Sequence, residues 1–263
     1  MTAGPGAAGP HESVEANRAW WDAEADEYYL EHGAFLGDAG FVWGPEGWTE
    51  AELGLLGLAD GQRLLEIGGG AGQCARWVDQ SYAVQIASSD LSAGMLTVGQ
   101  EINERHGTRL PLVQCDGCAL PFADGSFDVV FTSYGAVPFV ADSAGLMAEA
   151  ARVLRPGGRF VFATTHALRW CLPDEPGVEG LTVGHSYFDR RPYVERDASG
   201  RLEYVEHHRT IGDRVREVVA AGLTLVDLVE PEWPARNEAV WGGWSPLRGR
   251  LIPGTAIFVC RRD

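Results

Sequence analysis

From residue 63 onward, short apolar runs bounded by turn residues alternate with longer stretches in which apolar positions recur every three to four residues. The first pattern predicts buried strands at 63–67, 84–89, 110–114, 127–132, 159–164, 223–229 and 255–260. The second predicts helices at roughly 71–80, 92–106, 142–154 and 211–221. Seven strands alternating with helices predict an α/β fold: a doubly wound, mostly parallel seven-stranded sheet with helices on both faces. Two stretches interrupt the alternation, 166–209, with a hairpin expected around "DASG", and 231–254, rich in Trp, Pro and Gly. Neither reads as a separate domain, and no internal repeat is present.

Ahead of the sheet the pattern changes. Residues 1–11 are rich in Gly, Pro and Ala and predict a disordered tail. Residues 12–32 read as an acidic, aromatic helix, followed by the irregular "GFVWGPEGWTE". In "TEAELGLLGL" a further helix is expected, with Thr49 as its cap and Glu52 in capping-box position. The expected organisation is an N-terminal helical and aromatic cap over 12–50 and a single domain over 51–263 with lid insertions 166–209 and 231–254.

Composition narrows the functional classes. With 45% hydrophobic residues in 263, the chain can bury a large core. A net charge of −16, with every basic side chain an Arg, argues against an extended nucleic-acid surface. The N-terminus has neither a cationic nor an apolar signal region, and no uninterrupted apolar run reaches the ~18 residues that span a membrane. A cytoplasmic protein without a membrane partner is expected, as a monomer or a homodimer. Five scattered cysteines suit reduced thiols. Cys115 and Cys118 form a C-x-x-C with no second pair or nearby His, so no metal site is expected.

The chemistry is concentrated at "LLEIGGGAGQC", residues 64–74. A glycine-rich turn from a strand into a helix lets a nucleoside ligand approach the backbone. Gly70, Gly72 and Ala75 satisfy the dinucleotide fingerprint, whereas Glu66, Gly68, Gly70 and Gly72 satisfy acidic-x-G-x-G-x-G. The turn alone does not choose between them.

The blocks "LLEIGGGAGQ", "SSDLSAGML", "CDGCALPFADGSFDVVFTSYGAVPFV" and "RVLRPGGRFVFAT" are similar, in order and spacing, to successive motifs of the class I S-adenosylmethionine-dependent methyltransferases. The resemblance covers about residues 55–165 well and the segment after 210 more loosely. It implies a Rossmann-like methyltransferase fold with S-adenosyl-L-methionine as cofactor. It also implies that Gly68, Gly69, Gly70 and Gly72 admit the methionine part and that Glu66 meets its amino group or fixes the turn. Asp90, followed by Leu91 and Met95, would take the ribose hydroxyls, and Asp116 the adenine amino group. An amide of Gly117 or Cys118 would serve the ring nitrogen, and Ser133, Tyr28 and Trp43 would complete the cofactor set. "RPGG", residues 155–158, reads as a turn into a strand.

Ligands of open parallel sheets bind beyond the carboxyl ends of the strands, which places Glu66, Asp90, Asp116 and Ser133 on one rim. Both insertions leave the sheet there. With the N-terminal segment they bring Trp20, Trp21, Tyr28, Trp43, Trp170, Tyr187, Trp233, Trp241 and Trp244, from which an apolar pocket for a small aromatic or lipophilic acceptor is expected. His166, one residue past the fifth strand of the sheet, is the expected general base. His207 and His208 read as a joint between lid and helix. Methyl transfer to a small molecule is the leading expectation. A protein that binds the cofactor without transfer and an NAD-dependent oxidoreductase remain as alternatives.

Overall fold

The structure is a computed structural model and describes residues 2–263. In chain order its elements are Thr2–Pro5 (β1), Pro10–Leu36 (α1), Glu50–Leu53 (α2), Arg63–Ile67 (β2), Gln73–Ser81 (α3), Gln85–Asp90 (β3), Ala93–His106 (α4), Leu112–Gln114 (β4) and Phe127–Thr132 (β5). They continue with Ser143–Val153 (α5), Leu154–Thr165 (β6), Tyr193–Arg196 (β7), Leu202–Glu206 (β8), Ile211–Ala220 (α6), Leu223–Val229 (β9), Pro246–Gly249 (α7) and Thr255–Arg262 (β10). Seven strands form one sheet in the order β4-β3-β2-β5-β6-β10-β9. The pairs β4–β3, β3–β2, β2–β5 and β5–β6 are parallel, and β10 runs antiparallel to both its neighbours.

The two faces of this sheet bury separate cores. On one face Ile67, Val130, Phe160, Phe162 and Phe258 pack against α5 and α6. On the other Leu64, Val129, Phe131, Val161 and Ile257 pack against α3 and against Phe41 and Trp43 of the N-terminal segment. Because strand order reverses between β2 and β5, the connections that leave these two strands run to opposite faces of the sheet and open a crevice at the strands' carboxyl ends.

Local signals hold where the chain follows its own chemistry. Thr49 accepts from Glu52 N at 3.3 Å and Glu52 Oε2 accepts from Thr49 N at 3.0 Å, so the capping box forms. The helix it starts is only four residues long, because Gly54 adopts a left-handed conformation at φ 61° and closes it. "RPGG" lies within β6 rather than before it: β5 residues Phe127 and Val129 pair with Leu154 and Arg159, so residues 155–158 bulge out of the register. Around "DASG" the hairpin β7–β8 forms as expected, its turn held by Ser199 N and Arg201 N donating to Asp197 Oδ1.

The N-terminal tail departs from expectation. Thr2–Pro5 is not an unstructured stretch but an antiparallel edge strand on β7, making a second, three-stranded sheet in the order β1-β7-β8. Its backbone groups find partners on the lid hairpin, a pairing that composition does not reveal. The helix that follows is longer than the sequence indicates, 27 residues from Pro10 to Leu36, with Gly37 at φ 72° as its C-cap. Asn17 ties α1 to β8 by accepting from Val205 N at 2.9 Å and donating to Val205 O at 3.0 Å. One turn on, Asp22 accepts from Ser92 Oγ and Gly94 N, fixing α1 to the start of α4. The cap is thus fastened to the lid on one side and to the sheet domain on the other, roofing the crevice.

Candidate active site

The strand β2 delivers its last residues to the crevice and turns sharply. Gly68, Gly70 and Gly72 have φ of 65°, 55° and 77°, a region in which side chains are strained. Space forbids them as well: a Cβ on Gly68 would lie 2.8 Å from Ala136 Cβ, and one on Gly69 would lie 2.5 Å from Glu66 Oε2. The turn therefore packs backbone to backbone against the loop after β5 and wraps the carboxylate of Glu66.

That carboxylate is buried, accepts from Ser88 Oγ at 2.8 Å and from Ala75 N at 3.3 Å, and still reaches the cavity wall. Desolvation pushes its pKa up to about 7, and the nearby Asp90 charge adds to the shift. Asp90, at the end of β3, accepts from Gly70 N and Ser92 N, each at 2.8 Å. Desolvation likewise raises its pKa, while these two amides oppose the shift. Asp116 follows β4 and bends its loop by accepting from Cys118 N at 2.8 Å.

These groups line one cavity of about 510 Å³. Of the residues expected to hold the cofactor, Glu66, Gly68, Gly69, Gly70, Asp90, Leu91, Met95, Asp116, Gly117, Ser133 and Tyr28 are all in its wall. The wall continues over an aromatic roof. Trp20, Trp21, Tyr28 and His32 follow one another along α1 with ring centroids 4.6–5.1 Å apart, and His32 stacks on Trp241 at 4.4 Å.

Four expected site residues lie elsewhere. Trp43 is fully buried, donating from Nε1 to Glu50 at 3.0 Å and packing on Phe41; it anchors the cap to the sheet. Gly72 is absent from the cavity wall, and its missing Cβ makes room for Leu110 and Leu112. Cys118 is also outside, and its N–H is taken by Asp116, so it is not free for a ring nitrogen. His166 is the main correction. Its Nδ1 accepts from Leu168 N at 3.1 Å, and its Nε2 lies 2.7 Å from Glu230 Oε1. An accepting Nδ1 places the proton on Nε2, so both nitrogens are committed, and burial lowers the pKa. His166 joins the two insertions and does not line the cavity.

Of the remaining expected aromatics, Trp241 and Trp244 line the cavity, whereas Trp170, Tyr187 and Trp233 do not. His207 and His208 bond to Ser13 Oγ and Tyr187 O, as a lid joint requires. Several wall residues escaped the sequence reading: Tyr134, Thr165, Arg169, Tyr204 and Glu206. Tyr134 has φ 69° and is the only non-glycine with positive φ among the described residues. For Tyr204 and Glu206 a signal exists in hindsight, since the tripeptide Tyr-Val-Glu occurs once in each strand of the lid hairpin.

Comparison with known proteins agrees with this geometry. A family model described as a methyltransferase domain matches residues 65–162. The demethylmenaquinone methyltransferase of Corynebacterium urealyticum is 37% identical over 213 residues, 78% of this chain and 79% of that protein. The ubiquinone/menaquinone biosynthesis C-methyltransferase of Paracoccus denitrificans is 39% identical over 117 residues, and the match spans only 46% of its length. The first relatives are thus matched over about half their length. Among solved structures, an S-adenosylmethionine-dependent methyltransferase from Mesorhizobium loti shares the fold with a TM-score of 0.64 at 24% identity, covering 83% of this chain and 100% of that one. With the seven-stranded sheet, the glycine turn and a relative matched over most of both chains, this protein belongs to the class I S-adenosylmethionine-dependent methyltransferases.

Proposed function

We propose that the protein transfers a methyl group from S-adenosylmethionine to a small aromatic or lipophilic acceptor held beneath α1. The supporting observation is a single continuous cavity that runs from Asp90 and Glu66 to the aromatic roof. Its volume of about 510 Å³ lies within the ~300–1,000 Å³ of small-molecule sites. The quinone-directed names of the relatives point to the same acceptor class. Family membership displaces the dinucleotide reading of Gly70, Gly72 and Ala75, and so deep a cavity beside the glycine turn favours transfer over binding alone.

The wall fits the cofactor chemically. Glu66 is a buried carboxylate with no cation bonded to it among the described residues, suited to the cofactor's ammonium group. Asp90 has lone pairs beyond those used by Gly70 and Ser92, which suit ribose hydroxyls. Asp116, in the same wall just past β4, suits the adenine amino group. When bound, the cofactor supplies an electrophilic methyl on a sulfonium. The chain's own work is to align the acceptor, exclude water and receive a proton where the acceptor loses one.

Incubation with isotopically labelled S-adenosylmethionine tests this reading. A reduced demethylmenaquinone-type naphthoquinol and a cell metabolite extract serve as acceptors, with mass spectrometry as the readout. A labelled lipophilic or aromatic product is expected. Label confined to polar aliphatic metabolites would overturn the acceptor class, and no labelled product at all would overturn the reading.

A further inference from the structure

The lid hairpin carries a carboxylate into the acceptor end of the cavity. Its strands repeat Tyr-Val-Glu, at Tyr193–Glu195 and at Tyr204–Glu206. Val194 and Val205 pair across the hairpin and are buried, so the tyrosines and glutamates share the opposite face. On it Tyr193 stands opposite Glu206, and Glu195 opposite Tyr204. Each tyrosine donates to the glutamate of its own strand, Tyr193 to Glu195 at 2.7 Å and Tyr204 to Glu206 at 2.8 Å. Only the second pair lines the cavity.

We propose that Glu206 accepts the proton of the molecule to be methylated, and that this molecule therefore presents an O–H or N–H to the lid hairpin. The inference rests on the methyl-transfer reading above. Tyr204 occupies Glu206 Oε1, whereas Oε2 makes no hydrogen bond to the described residues. The one guanidinium in the wall, Arg169, is committed to Asp174 at 2.9 Å, and Glu206 forms no ion pair among the described residues. A carboxylate so placed is oriented by Tyr204 and has no direct ion-pair partner, while the nearby Arg169 charge partly offsets the effect of burial on it.

In the transfer step an electron pair of the acceptor, on the heteroatom or on a conjugated carbon that loss of its O–H or N–H proton makes nucleophilic, forms the new bond to the methyl carbon. The carbon–sulfur bond breaks with its electrons going to sulfur, and the O–H or N–H proton passes to the Glu206 carboxylate. Burial raises the Glu206 pKa, bringing it toward the range of a base working near neutral pH. The groups acting on it are Tyr204 on its own strand, Tyr193 and Glu195 on β7, Arg169 and Asp174 from the segment after β6, and Tyr134 after β5. From α1, Asn17 and Trp20 contact β8, and Glu24 lines the same cavity.

The test uses wild type, Glu206→Gln, Tyr204→Phe and, as a control outside the cavity, Glu195→Gln. With S-adenosylhomocysteine bound, 4-nitrophenol is the probe, and its absorbance reports its ionisation. A nearby carboxylate should raise the bound phenol's pKa by about one unit or more in wild type and Glu195→Gln relative to Glu206→Gln. In single-turnover transfer from labelled S-adenosylmethionine, Glu206→Gln should lower the rate by ~10²–10⁴ and remove the acid limb of the pH profile, with cofactor affinity unchanged. Tyr204→Phe keeps the carboxylate and removes a hydrogen bond that favours its charged form, so the acid limb should move to higher pH. Identical probe ionisation in wild type and Glu206→Gln, or an acid limb unmoved in Tyr204→Phe, would overturn the role of Glu206 alone. A wild-type protein that neither binds the phenol nor transfers label would overturn the methyl-transfer reading and this inference together.

Discussion

Asp90 Oδ2 accepts from Gly70 N at 2.8 Å, which makes the carboxylate at the end of β3 and the centre of the turn after β2 one unit. Replacing Asp90 with Ala removes a charged acceptor from two amides and, in the proposed binding mode, from the cofactor's ribose. Hydrogen bonds to charged groups contribute ~1.5–3 kcal/mol each. Calorimetry of Asp90→Ala should show S-adenosylmethionine affinity at least tenfold weaker, with a lower melting temperature as the turn loosens. Unchanged affinity would remove Asp90 from the ribose contact.

The loop after β5 meets the glycine turn without room to spare. A Cβ on Gly135 would lie 2.0 Å from Gly68 O, a backbone atom that cannot swing aside. Gly135→Ala should therefore cost about 1–3 kcal/mol, as overpacking does, and weaken cofactor binding by displacing both loops. Thermal melts with and without S-adenosylmethionine check this; wild-type values in both would show that the contact yields.

Burial raises the Glu66 pKa from its ordinary 4.5 to about 7, which favours its protonated form in the unliganded protein below about that pH. Its stabilising contribution is complete below about pH 4.5 and is lost as pH rises through about 7. An ammonium group arriving at this carboxylate should reverse the shift and expel the proton. Titration calorimetry near pH 6.5 in buffers of different ionisation enthalpy should show proton release on cofactor binding. Identical heats in all buffers would place the ammonium elsewhere.

His166 bridges the two insertions through Leu168 and Glu230, so His166→Ala should lower the melting temperature and leave transfer rate per folded molecule close to wild type. Its pKa lies below the usual 6.5, so its stabilising contribution is present above that value and fades as pH falls below it. The difference in melting temperature between wild type and His166→Ala should shrink in acid. A large loss of rate with unchanged stability would return His166 to the chemistry.

The part of the cavity wall around the glycine turn was legible in the sequence because its determinants are local. Short strands, three glycines with positive φ and carboxylates at or just past the ends of two strands lie within about fifty residues, from β2 to Asp116. Parallel pairing then brings the strand ends together at one rim whatever the loops do. His166 shows where this stops. Its place after β6 was correctly read, but the direction of its ring depends on Glu230, 64 residues away.

The sequence by itself determined the sheet, the glycine turn, Glu66, Asp90 and Asp116, because hydrophobic period and turn chemistry act over a few residues. Only the tertiary structure decided which aromatic rings roof the cavity, that Thr2–Pro5 joins the lid hairpin, that Trp43 is an anchor, and that Glu206 lines the cavity. Those outcomes depend on contacts such as Asn17 with Val205, 188 residues apart, whose partners no local pattern names. The roof of the cavity is built from such contacts, and its lining therefore emerges only when the chain has folded.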